Sequence, residues 1–198
     1  MLVGCGEGDD HDDHDHDENE VISRLELTFT PTGGGAPLVF EFTDPDGDGG
    51  VSGTADRIEL SAGVEYALAL RFENTLADPP EDITAEIEGE CEDHFVFVLG
   101  DLSGPASMPS TNVLVTHAYA DVESDYCPND KGDDLPVGLV NTITGQSAGS
   151  GEFRVILRHL PDLNDQPQKS GDLPQELAQG GDLPGSVDLD VTFELVVS

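Results

Sequence analysis

The sequence predicts an all-β protein, an antiparallel sandwich of immunoglobulin-like type with about nine strands and one short helix. Three observations carry this. Apolar residues recur at every second position in short runs, as a strand with one face in a core requires. Clusters of Gly, Pro, Asp and Ser separate those runs at strand-length intervals. Apolar spacing of four, the mark of an amphipathic helix, is clear in one place only. The hydrophobic fraction of 36% is low, but concentrating it in alternating runs is how a β protein builds a core from few apolar residues. A chain of 198 residues favours one folded domain, over 21–198, behind an N-terminal segment.

The elements follow in order. Residues 6–20 have the composition of a disordered tether, since the acidic run from Asp9 to Glu18 contains no apolar residue to bury. Leu25, Leu27 and Phe29, then Leu38, Phe40 and Phe42 beyond the glycine turn between Pro31 and Pro37, read as a hairpin. Ile58 and Leu60 make a short strand, and Val64, Tyr66, Leu68, Leu70 and Phe72 a central one. Asp78-Pro79-Pro80-Glu81 reads as a helix cap and first turn, followed by Ile83, Ile87 and Cys91 at spacing four, which brings Cys91 toward the core. Strand parity resumes at Phe95, Phe97 and Leu99, at Val113, Val115, His117 and Tyr119, near 138–144, and at Phe153, Val155, Leu157 and His159. The stretch 121–138 is an acidic loop carrying Cys127. Residues 160–186, with a duplicated Gly-Asp-Leu-Pro, read as an exposed insertion. The last strand places Val187, Leu189, Val191, Phe193, Leu195 and Val197 on its core face.

Forty-two acidic residues face seven basic ones, a formal net charge of −35. Such a field repels nucleic acid and anionic lipid headgroups and excludes nucleic acid as a partner, while it draws cations. A solvated acidic surface suited to salty water accounts for the same balance. No segment has the apolar length of a spanning helix.

Leu2-Val3-Gly4-Cys5 matches a lipobox, in which an apolar and two small residues precede a cysteine that receives lipid. The charged and apolar stretch of a signal peptide does not precede it here, so the expectation is a start placed upstream or a trimmed sequence. With Cys5 as the lipidation site, membrane attachment is through the lipid and the location is the cell envelope, on the periplasmic or surface side of the outer membrane. Cys91 and Cys127 then remain as an even pair in an oxidising compartment, which predicts a disulfide.

Three segments carry metal-type chemistry. His11, His14 and His16 alternate with aspartates in the tether; imidazole suits Zn²⁺ and similar ions, and the carboxylates add oxygen ligands, although a solvated spacer has the same composition. Asp44, Asp46 and Asp48, with Gly49, have the oxygen spacing of a Ca²⁺ loop, but Ala55 stands where an EF-hand carries its bidentate Glu, and an Asp/Gly hairpin loop favours the same residues. His94, His117 and His159 sit at strand positions and form a folded zinc site only if they converge near an acid such as Glu90 or Asp93. An HExxH helix motif and a phosphate loop are absent from the sequence, and no predicted strand-to-helix turn offers a nucleophile elbow, so the chain reads as non-enzymatic.

Several stretches together resemble a family of small envelope lipoproteins from Bacteroidetes and other Gram-negative bacteria. They are the lipobox with its acidic His-containing tether, Asn19 to Ile22 leading into Leu27-Thr28-Phe29-Thr30-Pro31, and the loop from Phe42 to Gly50. Glu81-Asp82-Ile83-Thr84 running to Glu92-Asp93-His94, and Leu157-Arg158-His159 before Asp190-Val191-Thr192-Phe193, complete the set. Some members carry a periplasmic-binding-fold label, which the all-β pattern here does not support. The resemblance implies an envelope lipoprotein working beside an outer-membrane receptor in metal uptake. The chain departs from that pattern in its 160–186 insertion and its cysteine-bearing 121–138 loop. The reading that follows is a non-enzymatic lipoprotein that binds divalent metal, zinc first, with a calcium-stabilised adhesive or scaffolding sandwich as the alternative.

Overall fold

Alternating burial along each run builds the sheets of this protein, seen in a computed structural model that describes residues 20–47, 53–108 and 111–198. In chain order the strands are Arg24–Pro31 (β1), Leu38–Thr43 (β2), Thr54–Ala55 (β3), Ile58–Leu60 (β4), Glu65–Asn74 (β5) and Glu81–Asp82 (β6). The helix Ile83–Gly89 (α1) precedes His94–Gly100 (β7), Leu102–Ser103 (β8), Val115–Tyr119 (β9), Val140–Gly145 (β10) and Gly149–His159 (β11). A second helix, Leu173–Ala178 (α2), comes before Ser186–Val197 (β12). One sheet runs β3-β2-β1-β5-β10-β9-β8 with β6 beside β5, and the other runs β4-β12-β11-β7. The chain is thus an all-β sandwich.

The expected hairpin forms with Leu25, Leu27 and Phe29 opposite Phe42, Phe40 and Leu38. β5 takes the centre of the larger sheet between β1 and β10, and its buried residues are Tyr66, Leu68, Leu70 and Phe72. Between the layers Phe29 meets Phe153 edge-to-face at 6.0 Å, so the inner faces of β1 and β11 lock against each other. One cluster of buried side chains joins both inner faces with Ile83, Ile87 and Cys91 of the α1 region.

Three local readings are corrected. The cap is Asp82 rather than Asp78, the Asp78–Pro79 bond is cis, and Glu81 pairs with Asn74 as part of β6. What anchors α1 is Thr84, whose hydroxyl accepts the Phe72 N–H at 2.8 Å and donates to the Phe72 carbonyl at 3.1 Å. The 160–186 segment is not simply exposed: it carries α2, and Leu160 and Leu173 pack with Phe95, Phe97 and Ile156 on the outer face of the smaller sheet. That cover explains why five successive residues of β7, from His94 to Val98, are buried. Lys169 from the same segment is buried, donating to the Cys91 carbonyl at 2.7 Å and pairing with Glu123 at 2.8 Å.

The third correction concerns β12. Leu157 pairs with Leu189 but Arg158 pairs with Val187, so β12 has one extra residue at Asp188. This β-bulge reverses parity locally: Val187, expected in the core, is exposed, and Asp188, expected in solvent, is 6% exposed.

Cys91 and Cys127 form the expected disulfide, with Cα atoms 6.1 Å apart. It ties the end of α1 to the 121–138 loop. That loop is organised around Asp121, whose carboxylate accepts from Gly138 N, Val140 N and the Tyr126 hydroxyl at 2.9–3.0 Å. Gly138, at φ 87, belongs to a crossing stretch in which Val137 accepts the Val96 N–H at 2.8 Å. Among the described residues no helix is long and apolar enough to cross a membrane.

Candidate metal centre

β7 and β11 pair antiparallel, and at the end of the ladder His94 and His159 stand directly opposite each other. Cross-strand neighbours share a face, so both rings project the same way and stack, with centroids 4.8 Å apart and planes within 9°. Val96 and Val98 belong to the inter-sheet core, which puts His94, two residues earlier, on the same inward face. Glu90 closes the C-terminal end of α1 and completes the group: one ligand atom from each of Glu90, His94 and His159 lies within 4.8 Å of the others.

His94 is the best defined of the three. Its side chain is fully buried, and Nδ1 lies 3.2 Å from the Glu90 carbonyl oxygen. A carbonyl only accepts, so Nδ1 carries the proton and Nε2 presents a lone pair. Metal-bound histidines are characteristically oriented in this way, with the non-ligating N–H held by a carbonyl. Nε2 has no hydrogen-bond partner. Burial pushes the His94 pKa down to about 4, which keeps the ring neutral at physiological pH.

Two further carboxylates border this pair. Glu20 Oε1 lies 3.7 Å from His94 Nε2, and its other oxygen is buried without a partner. Burial, reinforced by the charges of Asp188, Glu86 and Glu90, pushes the Glu20 pKa up to about 8. Neither oxygen of Asp188 has a hydrogen-bond partner of acceptable geometry, and burial raises its pKa against the opposing pull of His159, Ser186 and Arg158. Arg158 does not serve as its counter-charge through a hydrogen bond, because its guanidinium donates to the carbonyls of Leu183, Pro184 and Gly185.

The predicted residues divide clearly. His94, His159 and Glu90 come together. His117 does not join them: it is buried in the larger sheet, with Nε2 2.9 Å from Asn141 Oδ1, while Asn141 donates to the Gly138 carbonyl. Asp93 turns to Lys131 at 2.6 Å. Asp44 is buried and one of its carboxylate oxygens accepts the Asp46 N–H at 3.4 Å, an Asx-type turn contact. Cys5, His11, His14, His16 and Asp48 lie outside the described residues. Glu20 and Asp188 were not singled out from sequence; a bulge leaves no trace in a regular alternation, and Glu20 reads as one more acid of the tether.

A separate cleft is lined by Glu92, Glu123, Lys131, Asp133, Lys169 and Asp172 among others. Its lysines already face acids, Lys131 with Asp93 and Asp162 and Lys169 with Glu123, so it offers little to an anionic ligand.

Comparisons with protein families, with curated proteins and with solved structures find no match to this chain.

Proposed function

We propose that this protein is a lipid-anchored envelope protein that captures a divalent transition metal, zinc first, at His94, His159 and Glu90 and holds it for a membrane partner such as an outer-membrane receptor. The observation that carries the metal reading is the buried lone pair of His94 Nε2, unpartnered and set beside a stacked imidazole and a carboxylate. An unmet polar atom in a folded interior costs on the order of 1–3 kcal/mol, which a metal bond removes. The acidic surface raises the cation concentration around the site. The lipobox at Cys5 and the family resemblance support the envelope location and the receptor partner.

The test is calorimetric titration of the full chain with Zn²⁺, alongside His94→Ala and His159→Ala, and with a His11/His14/His16 triple alanine variant to remove tether binding. A site with Kd below about 1 μM that survives the triple change and is lost in both single variants is expected. Absence of binding below millimolar Zn²⁺, or equal binding by His94→Ala, refutes the reading.

A further inference from the structure

Resting on the metal reading above, we infer that Glu20 and Asp188 complete the coordination sphere, so that the site takes a five- or six-coordinate first-row divalent ion with two imidazole nitrogens and three carboxylates. The ion then fastens the segment before β1 to the strand ends of the smaller sheet.

Three observations point this way. The first is spacing. Two donors bonded to one ion at about 2.1 Å stand roughly 3–4 Å apart across the angles metals adopt. Glu20 Oε1 and His94 Nε2 are 3.7 Å apart, too far for a hydrogen bond and right for two ligands of a common ion. The Glu90–His94–His159 atoms lie within 4.8 Å of one another, and one of the two stacked rings must turn out of parallel for both to reach a shared ion.

The second is charge. Glu20 and Asp188 carry buried carboxylate oxygens without hydrogen-bond partners, which a proton or a cation must answer. The chain has seven basic residues, and the one beside Asp188, Arg158, is committed to three backbone carbonyls. Lys169, whose charge also reaches His94, is held by Glu123 and the Cys91 carbonyl. Neither Arg158 nor Lys169 is thus free to pair with these carboxylates, and an ion from outside the chain would answer them.

The third is the bulge. It turns Asp188 inward and leaves Val187 41% exposed, a local loss of apolar burial that regular pairing would have avoided. Bulges of this kind re-aim side chains at functional sites. Here the re-aimed group is a buried acid two residues beyond Ser186, the residue paired with His159. With five donors and no thiolate or thioether in the group, the set suits Mn²⁺, Fe²⁺, Co²⁺ or Zn²⁺ and not Cu⁺.

The experiment uses the full chain with Co²⁺, Zn²⁺ and Mn²⁺ separately, comparing wild type, Glu20→Gln, Asp188→Asn and His94→Ala. The carboxylate variants should each bind Co²⁺ and Zn²⁺ more than about tenfold more weakly. Wild-type Co²⁺ protein should show the weak visible bands of five- or six-coordination. Binding by both carboxylate variants within about twofold of wild type, with His94→Ala inactive, overturns the inference and leaves the histidine site standing. An intense tetrahedral Co²⁺ spectrum does the same. No binding by wild type overturns both. If Asp188→Asn does not fold, anomalous scattering from a Zn²⁺-loaded wild-type crystal decides: an ion within about 2.3 Å of Glu20 and Asp188 oxygens supports the inference, and an ion that either residue does not touch overturns it.

Discussion

Removing the Cys91–Cys127 bridge tests how the fold holds the candidate site. The two cysteines are 36 residues apart in sequence, and in the chain-entropy model a closed loop of that length stabilises the native state by about 4 kcal/mol. Cys91 is fully buried, so the variant should be Cys91→Ala with Cys127→Ser, which leaves no new hydroxyl in the core. The native braces around Cys91 do not change this term, because Lys169 and Glu123 act in the folded state while the bridge acts on the unfolded one. With a guanidinium m-value of roughly 5 kcal/mol/M for a chain of this size, the midpoint should fall by about 0.8 M. Cys91 also lies between Glu90 and His94, so freeing it should weaken zinc binding in the same protein. A midpoint shift below about 0.2 M in oxidised protein would refute the bridge as the constraint on this region.

Three further outcomes are expected. Lys169→Met should destabilise by about 3–5 kcal/mol, because it strands buried Glu123 without its cation. Adding Glu123→Leu should recover only part of that, since the Leu135 N–H loses its acceptor; urea denaturation of both variants gives the comparison, and equal loss in single and double variants would contradict it. Phe153→Ala should cost about 3–5 kcal/mol as the inter-sheet contact with Phe29 empties, and a loss under about 1 kcal/mol would show that the layers do not pack there. The last concerns pH. Burial holds the His117 pKa below its ordinary 6.5, against the upward pull of Asp121 and the Asn141 hydrogen bond, with the Tyr119 ring against its edge. The native state therefore binds this proton less readily than the unfolded chain, so the stability due to neutral His117 is complete above pH 6.5 and is lost as pH falls below it. In metal-free protein, the stability difference between wild type and His117→Gln should shift against wild type below pH 6.5, by at most about 1.4 kcal/mol per pH unit. A difference that does not change with pH sinks this assignment.

The fold was legible in proportion to how local its causes are. The β1–β2 register and the central place of β5 follow from alternation and turn residues, which are properties of neighbouring positions. The role of 160–186 was not legible, because it depends on a tertiary fact: β7 is covered on both faces. The signal was present in the unbroken run Phe95-Val96-Phe97-Val98, which a half-exposed strand has no reason to carry. Asp78-Pro79-Pro80-Glu81 imitated a helix start, but pairing of Glu81 and Asp82 with β5 took precedence over the local cap.

The candidate site shows the same division at closer range. His94 and His159 were candidates from sequence because strand-borne imidazoles can form a zinc site if they converge, yet only the β7–β11 register sets them face to face. Asp188 was invisible for the opposite reason: it sits in the most regular alternation of the chain, and a single inserted residue reverses which of Val187 and Asp188 is buried. Local pattern and final structure thus disagree most sharply where an apolar side chain is turned out to bring an acid in. A fold selected for packing alone would have kept Val187 inside and left Asp188 to water, so the disagreement itself locates the place where something other than packing shaped the strand.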